Sequence, residues 1–477
     1  MRAIQSSFIA IATFVAMAMN IWGANWPQFR GPGGLSIGEG AEPPTHFGPE
    51  SNLLWSVGLP AGNSSPIIWS NKIFLTAYDK TKIETLCLDR ADGKVLWRQA
   101  APPTKFESAH KLSGPATPTP ATDGERVIVY FGSFGLLAYD LDGREQWRKT
   151  LNQPLVEFGS GSSPIIAGNL VILICDQDDG SFLLALDKRT GKQAWRVERP
   201  EFRRGFATPL VWRPDNEVEL VVPGSLWLTS YEPTTGRVLW RYTGTSRVPT
   251  SSPVIGDGLL FNACWNIGGE SGAKMTMQPF EDYAAEHDAN KDGKLSRSEI
   301  SSPTKDRFTQ MDINRDDFVS PSEWQMMREM FDKAENAVIA LKPGGHGDIT
   351  KSHLVWKSTR SLPYVSSPLF YRGRVFTVKN GGLFSCYDAT TGSVRFQDER
   401  LDAGGDYYSS AVAVGQKIFV ASQQGIMLVI APGDELKVLA RNRLGEPIMA
   451  TPAIADGKLY VRTATKLFAF SSFHEGL

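Results

Sequence analysis

"SSPIIWSNKIFLTAYDKTKIETLCLDRADGKVLW", from Ser64 to Trp97, holds the pattern that decides the fold. A small hydroxyl residue and a proline open it. Two apolar runs around Ile73 and Leu86 follow, rich in residues that suit strands rather than helices. Asp89, a turn, Gly93 and then Trp97 close it. The aspartate accepts turn amides, the glycine takes a positive φ, and the aromatic finishes the packing of the outer strand.

The pattern recurs along the chain. Openings stand at Pro66, Pro120, Pro164, Pro209, Pro253, Pro368, Ala411 and Pro452, near 44 residues apart where the spacing is regular. An aliphatic residue follows seven places on in every unit but the fourth, where extra polar residues precede Leu220. Closing strands end at Trp97, Trp147, Trp195, Trp240, Trp356, Phe396 and Val438. The eighth unit stops at Phe470 without one, so Leu53–Trp55 is expected to complete it from the far end of the chain. Repeats of this length with four short strands predict an all-β fold, an eight-bladed β-propeller of four-stranded blades. Two stacked sandwiches are the alternative, and the single even period argues against them.

These repeats resemble those of the pyrroloquinoline-quinone-type (PQQ-like) propeller family. "WPQFRGPGG", Trp26 to Gly34, resembles exported bacterial members of that group. The resemblance covers nearly the whole mature chain and implies a fold more than a function. The family includes quinone dehydrogenases and non-catalytic scaffolds, among them the lipoprotein that assists outer-membrane protein assembly.

One spacing is too long by about 70 residues, between Pro253 and Pro368. It falls inside the fifth blade, where Ile267–Glu335 replaces the hairpin between strands two and three. Both ends of a hairpin lie close together, so a small domain fits there. The expected division is a signal peptide at 1–24, propeller at 25–266, an EF-hand pair at 267–335, and propeller again at 336–477.

The inserted segment carries two calcium-loop patterns. "DANKDGKLSRSE" offers Asp288, Asn290, Asp292, the carbonyl of Lys294, Ser296 and Glu299, with Gly293 for the sharp turn. "DINRDDFVSPSE" offers Asp312, Asn314, Asp316, the carbonyl of Phe318, Ser320 and Glu323. Its sixth place holds Asp317 instead of glycine, which predicts a weaker site. Leu295 and Val319 are expected to pair the loops. Between Glu281 and Glu335 stand 14 acidic and 8 basic residues, a charge balance suited to cation-assisted ordering. The competing reading is an acidic linker. Met326, Met327 and Met330 suit either a calcium-exposed groove or the core of a helical pair, and the core reading favours a structural ion.

Composition bounds the partners. The 477 residues carry a formal net charge of −1, which offers no reason to expect nucleic acid or an anionic membrane surface. Arg2 and the apolar run Phe8–Met19 suit a signal peptide, hence an exported, periplasmic or extracellular protein with no membrane span after its removal. Cys87, Cys175, Cys264 and Cys386 lie singly in strand-like runs and read as buried thiols. By the resemblance, a quinone dehydrogenase holds calcium and a carboxylate base at the propeller axis, and many members stack the quinone on a disulfide of adjacent cysteines. Adjacent cysteines and CxxCH are both missing here, so PQQ is possible but not favoured. "GLSIG" at Gly34–Gly38 matches a nucleophile motif by letter only, outside any strand–turn–helix context. The favoured reading is a calcium-binding scaffold holding a protein or polymer partner. Inter-blade residues Asn63, Glu107, His110, Glu157, Arg204, Arg247, Tyr364 and Tyr407 are expected on the partner face.

Overall fold

The computed structural model describes residues 25–110, 112–214, 217–270, 272, 274–301 and 307–472. The proposed signal segment lies outside them, as does Pro303, expected to interrupt the helix between the calcium loops. Eight antiparallel sheets form the ring. Each blade starts with a strand of two or three residues at the axis, such as Ile67–Trp69 and Ile165–Ala167. The two middle strands are buried on both faces between neighbouring blades, as in Leu170–Cys175 and Phe182–Asp187. That explains their continuous apolar runs. The outer strands alternate, for example Val95–Ala100, because one face meets solvent.

The opening motif has a ring-wide purpose. The backbone N–H of each Ser or Thr before the proline, or before Ala411 in the seventh blade, has no strand further in to pair with. It donates instead to the hydroxyl of the same residue in the next blade. Ser65 donates to Thr119, Thr119 to Ser163, Ser163 to Thr208 and Thr208 to Ser252. Ser252 continues to Ser367, Ser410, Thr451 and back to Ser65. Eight bonds of 2.9 to 3.1 Å thus close a circle around the axis.

The closing motif also acts between blades. The structure gives the aromatic a partner beyond its own strand. Trp97 lies on Gly143 of the next blade, Trp147 on Gly191 and Trp195 on Gly236, where an added Cβ would stand 2.6 to 2.8 Å from the ring. Their indole N–H groups donate to Leu141, Lys188 and Pro233 carbonyls in the same turns. Glycine is therefore needed twice, for its positive φ and for its missing side chain. The fifth blade has no such turn. Trp240 of the fourth blade donates instead to Glu219 of its own blade at 2.6 Å, and Gly347–Asp348 of the fifth blade adds a short parallel strand beside Trp240–Arg241.

Leu53–Gly58 pairs antiparallel with Lys466–Ser471, setting Trp55 opposite Ala469. The eighth blade is completed from the N-terminal side, as the strand count requires, and the ring has no open edge there. In the fifth blade Leu259–Cys264 pairs directly with Ala337–Leu341. Across the base of the insertion the Asn336 side chain accepts from the Asn266 N–H at 3.0 Å and donates to the Asn266 carbonyl at 2.7 Å. Between those strands the described residues form three helices: α1 (Phe280–His287), α2 (Phe308–Met311) and α3 (Pro321–Lys333).

The segment before the first blade crosses the axis. Trp26 pairs with Ile68 in blade one, Pro27 accepts from Thr122 in blade two, and Ser36 and Gly38 bridge Ala413 in blade seven. Between them Arg30 is buried. Its guanidinium donates to Ser36 Oγ and to the carbonyls of Ser252, Pro253 and Pro368. Burial among carbonyls, with no carboxylate bonded to it, lowers its pKa to about 9. Residues of "WPQFRGPGG" thus plug one end of the ring.

Candidate functional site

The other end of the ring is open. A cavity of about 360 Å³ sits on the axis, floored by Phe29 and the Ser/Thr circle and walled by inter-blade loops. Asn266, Ile267 and Gln310 also line it, so the inserted segment overhangs this face. The walls are largely apolar and aromatic, with Phe158, Phe206, Tyr364 and Met449 prominent. Convergent polar groups in an apolar hollow are what a ligand site requires.

Of the residues expected on the partner face, Asn63, His110, Arg204, Arg247 and Tyr364 line the cavity. Glu157 stands beside Arg204, 3.4 Å away, and is half exposed. Tyr407 does not belong there. It is fully buried, its hydroxyl donating to Ala403 O, and Tyr408 takes the cavity position.

Two arginines at the mouth differ. Arg204 makes a two-point pair with Asp178, at 2.7 and 2.6 Å. Arg247 is 6% exposed and donates Nε to Ile267 O. Its remaining donors meet no carboxylate among the described residues, and its guanidinium lies 5.1 Å over the Phe331 ring. Burial first, then nearby Arg307, Arg204 and Arg203, lower its pKa to about 10. A cation held in a low-dielectric wall without its own anion favours an anionic visitor.

Glu107 is buried off the cavity, in the wall between blades two and three. It accepts from the Ser160 N–H and Oγ, while its Oε1 meets no donor among the described residues. Burial raises its pKa from 4.5 to about 7. The folded state therefore keeps the proton that the unfolded state loses. Below pH 4.5 the group costs nothing; from there up to 7 the native state loses stability, and above 7 the full cost remains. Glu107→Gln is expected to gain roughly 3 kcal/mol at pH 8 and nothing at pH 4. Urea unfolding at both pH values checks it, and a gain independent of pH would refute the assignment.

The helical module holds the two loops back to back. Leu295 pairs with Val319, as the loop register predicts. Phe280, Tyr283, Phe308, Trp324, Met327 and Phe331 form its core. Met330 packs on Leu226 of blade four, leaving only Met326 of the three methionines exposed, which suits a staple better than a groove. The loops share one bonding scheme. Asp288 accepts from Gly293 N–H and Asp312 from Asp317 N–H, while Glu299 and Glu323 accept from Ala289 and Ile313. The sixth residues, Gly293 and Asp317, take φ of 77° and 65°. Asn290, Asp292, Asn314 and Asp316 bond within their turns, and Ser296 and Ser320 bond Glu299 and Glu323. Lys294 and Phe318 stand at the seventh position, which supplies a backbone carbonyl, with the Phe318 ring under the Lys294 ammonium.

The carboxylates face their loops' own amides. Among the described residues no three His, Cys, Asp or Glu side chains gather at one metal-binding point. The donor set nonetheless fits calcium. All donors are oxygens, and Asp288 Oδ1 is buried with no hydrogen-bond partner among the described residues. Burial raises the pKa of Asp312, a cost that a cation offsets.

The chain matches the family described as outer membrane protein assembly factor BamB over residues 47–213, 84–264 and 347–470. Residues 304–327, the second loop and its flanks, match the EF hand. No curated protein sequence matches the chain. BamB from Moraxella catarrhalis is 13% identical, with 88% of this chain and 99% of that one covered and a TM-score of 0.53. Quinohemoprotein alcohol dehydrogenase from Comamonas testosteroni is 11% identical, with 95% and 82% covered and a TM-score of 0.55. Likeness at this identity speaks to the fold, which scaffolds and dehydrogenases share. Among the described residues no helix is long and apolar enough to cross a membrane.

Proposed function

The chain belongs to the family described as outer membrane protein assembly factor BamB, and from that premise we propose that it is an exported, non-catalytic scaffold of the cell envelope. It holds a protein or polymer partner on the face bearing the axial cavity. Residues 267–335 form a calcium-bound unit stapled to that face. Asp288, Asn290, Asp292, Lys294, Ser296 and Glu299 hold one ion, and Asp312, Asn314, Asp316, Phe318, Ser320 and Glu323 hold the other. Tight turns with oxygen donors at every expected position support this, as does the partnerless Asp288 Oδ1.

The observation that carries the partner reading is Arg247, a buried guanidinium at the cavity wall with no carboxylate of its own among the described residues. An acidic group of the partner, flanked by apolar surface, suits it. The quinone-dehydrogenase reading has less support. Among the described residues the cavity lining includes no Asp or Glu to serve as base or axial calcium ligand, and the four cysteines are single buried thiols. The residues do not fit the quinone site that the resemblance implies.

Cross-linked capture from an envelope extract, with wild type and Arg247→Glu side by side, tests the reading. A partner retained by the wild type and lost from the variant is expected. Identical capture by both, or tight one-to-one uptake of pyrroloquinoline quinone, would overturn it.

A further inference from the structure

We propose that calcium in the second loop controls the axial cavity, so that calcium and an anion at Arg247 bind with positive coupling. This rests on the reading of the cavity as a binding site. Both arms of the second loop end at the cavity wall. The first arm is α2. It stops at Asp312, whose N–H caps Phe308 O at 2.8 Å, and it carries Gln310 two residues earlier. Gln310 lines the cavity, and its carbonyl accepts from Arg203 Nη2 at 2.9 Å. Arg203 in turn shares Asp178 with Arg204, another wall residue. The second arm is α3. Glu323 sits in its first turn, closed by a capping box with Ser320, and Phe331 near its end carries the Arg247 guanidinium.

An ion bound by Asp312 and Glu323 ties the end of α2 to the start of α3. It thereby sets Gln310 and Phe331, hence Arg203 and Arg247, relative to one another. The first loop is wired differently. Its ties run within the module, Arg297 to Thr309 and Lys294 to Asp316. Asp317 adds a reason for the second loop to be the responsive one. A non-glycine residue at φ 65° weakens the site. Its occupancy then changes where a tighter site stays filled.

The test uses the full chain and 1-anilinonaphthalene-8-sulfonate, an apolar aromatic anion whose fluorescence reports burial. Titrations run in saturating calcium and in chelator, below the module's unfolding temperature. The expected result is one site in calcium, weakened about tenfold by chelation or by Glu323→Gln, and about tenfold by Arg247→Gln. Reciprocally, saturating dye tightens one calcium site of the wild type by the same factor. Arg203→Gln keeps both ligands but brings the factor below about twofold. Dye binding that needs Arg247 but ignores calcium would refute the coupling and leave the cavity reading intact. No dye binding, or binding indifferent to Arg247, would remove the cavity reading and the coupling with it.

Discussion

Trp55→Ala is expected to lower the unfolding free energy by about 3–5 kcal/mol. Trp55 is 8% exposed and lies on Gly93 of blade one, where a Cβ would stand 2.6 Å from its ring. Its N–H donates to Arg90 O at 3.2 Å, and its ring packs against Tyr460. Alanine opens a cavity between blades eight and one and leaves a carbonyl without its donor. The position matters as much as the contact. Leu53–Gly58 is the strand that joins the two ends of the chain in one sheet. Loosening it loosens the ring. Trp195 makes the same kind of contact with Gly236 and Pro233, but between blades joined by continuous chain. Trp195→Ala should therefore cost less, and it should leave the ring seam protected. Urea unfolding of both variants, with limited proteolysis of residues 25–58, decides this. Equal losses with an equally protected seam would mean that the closing strand carries no special load.

Much of the ring could be read because its instructions are local and repeated. A proline after a hydroxyl residue, an Asp turn with glycine, and an aromatic residue four places on recur in most units. Counting strands was enough to assign Leu53–Trp55 to the last blade. What could not be read depends on neighbours distant in the chain. Ser65 answers Thr119 and Thr451, so one residue's role is visible only when the circle closes. Arg30 is held by three carbonyls more than 220 positions away, and no local pattern marks it. Tyr407 and Tyr408 are adjacent, and which one faces the cavity is decided by the path of the loop. Arg247 was legible as a loop cation, but the lack of a carboxylate beside it was not. The calcium loops were the reverse case, since their chemistry is spelled out in twelve consecutive residues.

Calcium is expected to stabilise the module alone. Each occupied loop should add about 2.7 kcal/mol when calcium exceeds its dissociation constant a hundredfold. The propeller should gain nothing. Its fifth blade is complete without the insertion, because Cys264 pairs with Ala337 and the Asn266–Asn336 bonds seal the base. The module has its own core around Phe280, Trp324 and Phe331, and its two loops carry seven of the 14 acidic residues between Glu281 and Glu335. Two thermal transitions follow from this, one moving upward with calcium and one fixed. Asp288→Ala removes the first ligand of the first loop. It should weaken one calcium site and lower the mobile transition while leaving the fixed one in place. Calorimetry with and without chelator reads both. A single transition shifted as a whole would place the module inside the propeller's own folding unit. In that case calcium would stabilise the ring directly, through the arginines that join the module to blades four and five.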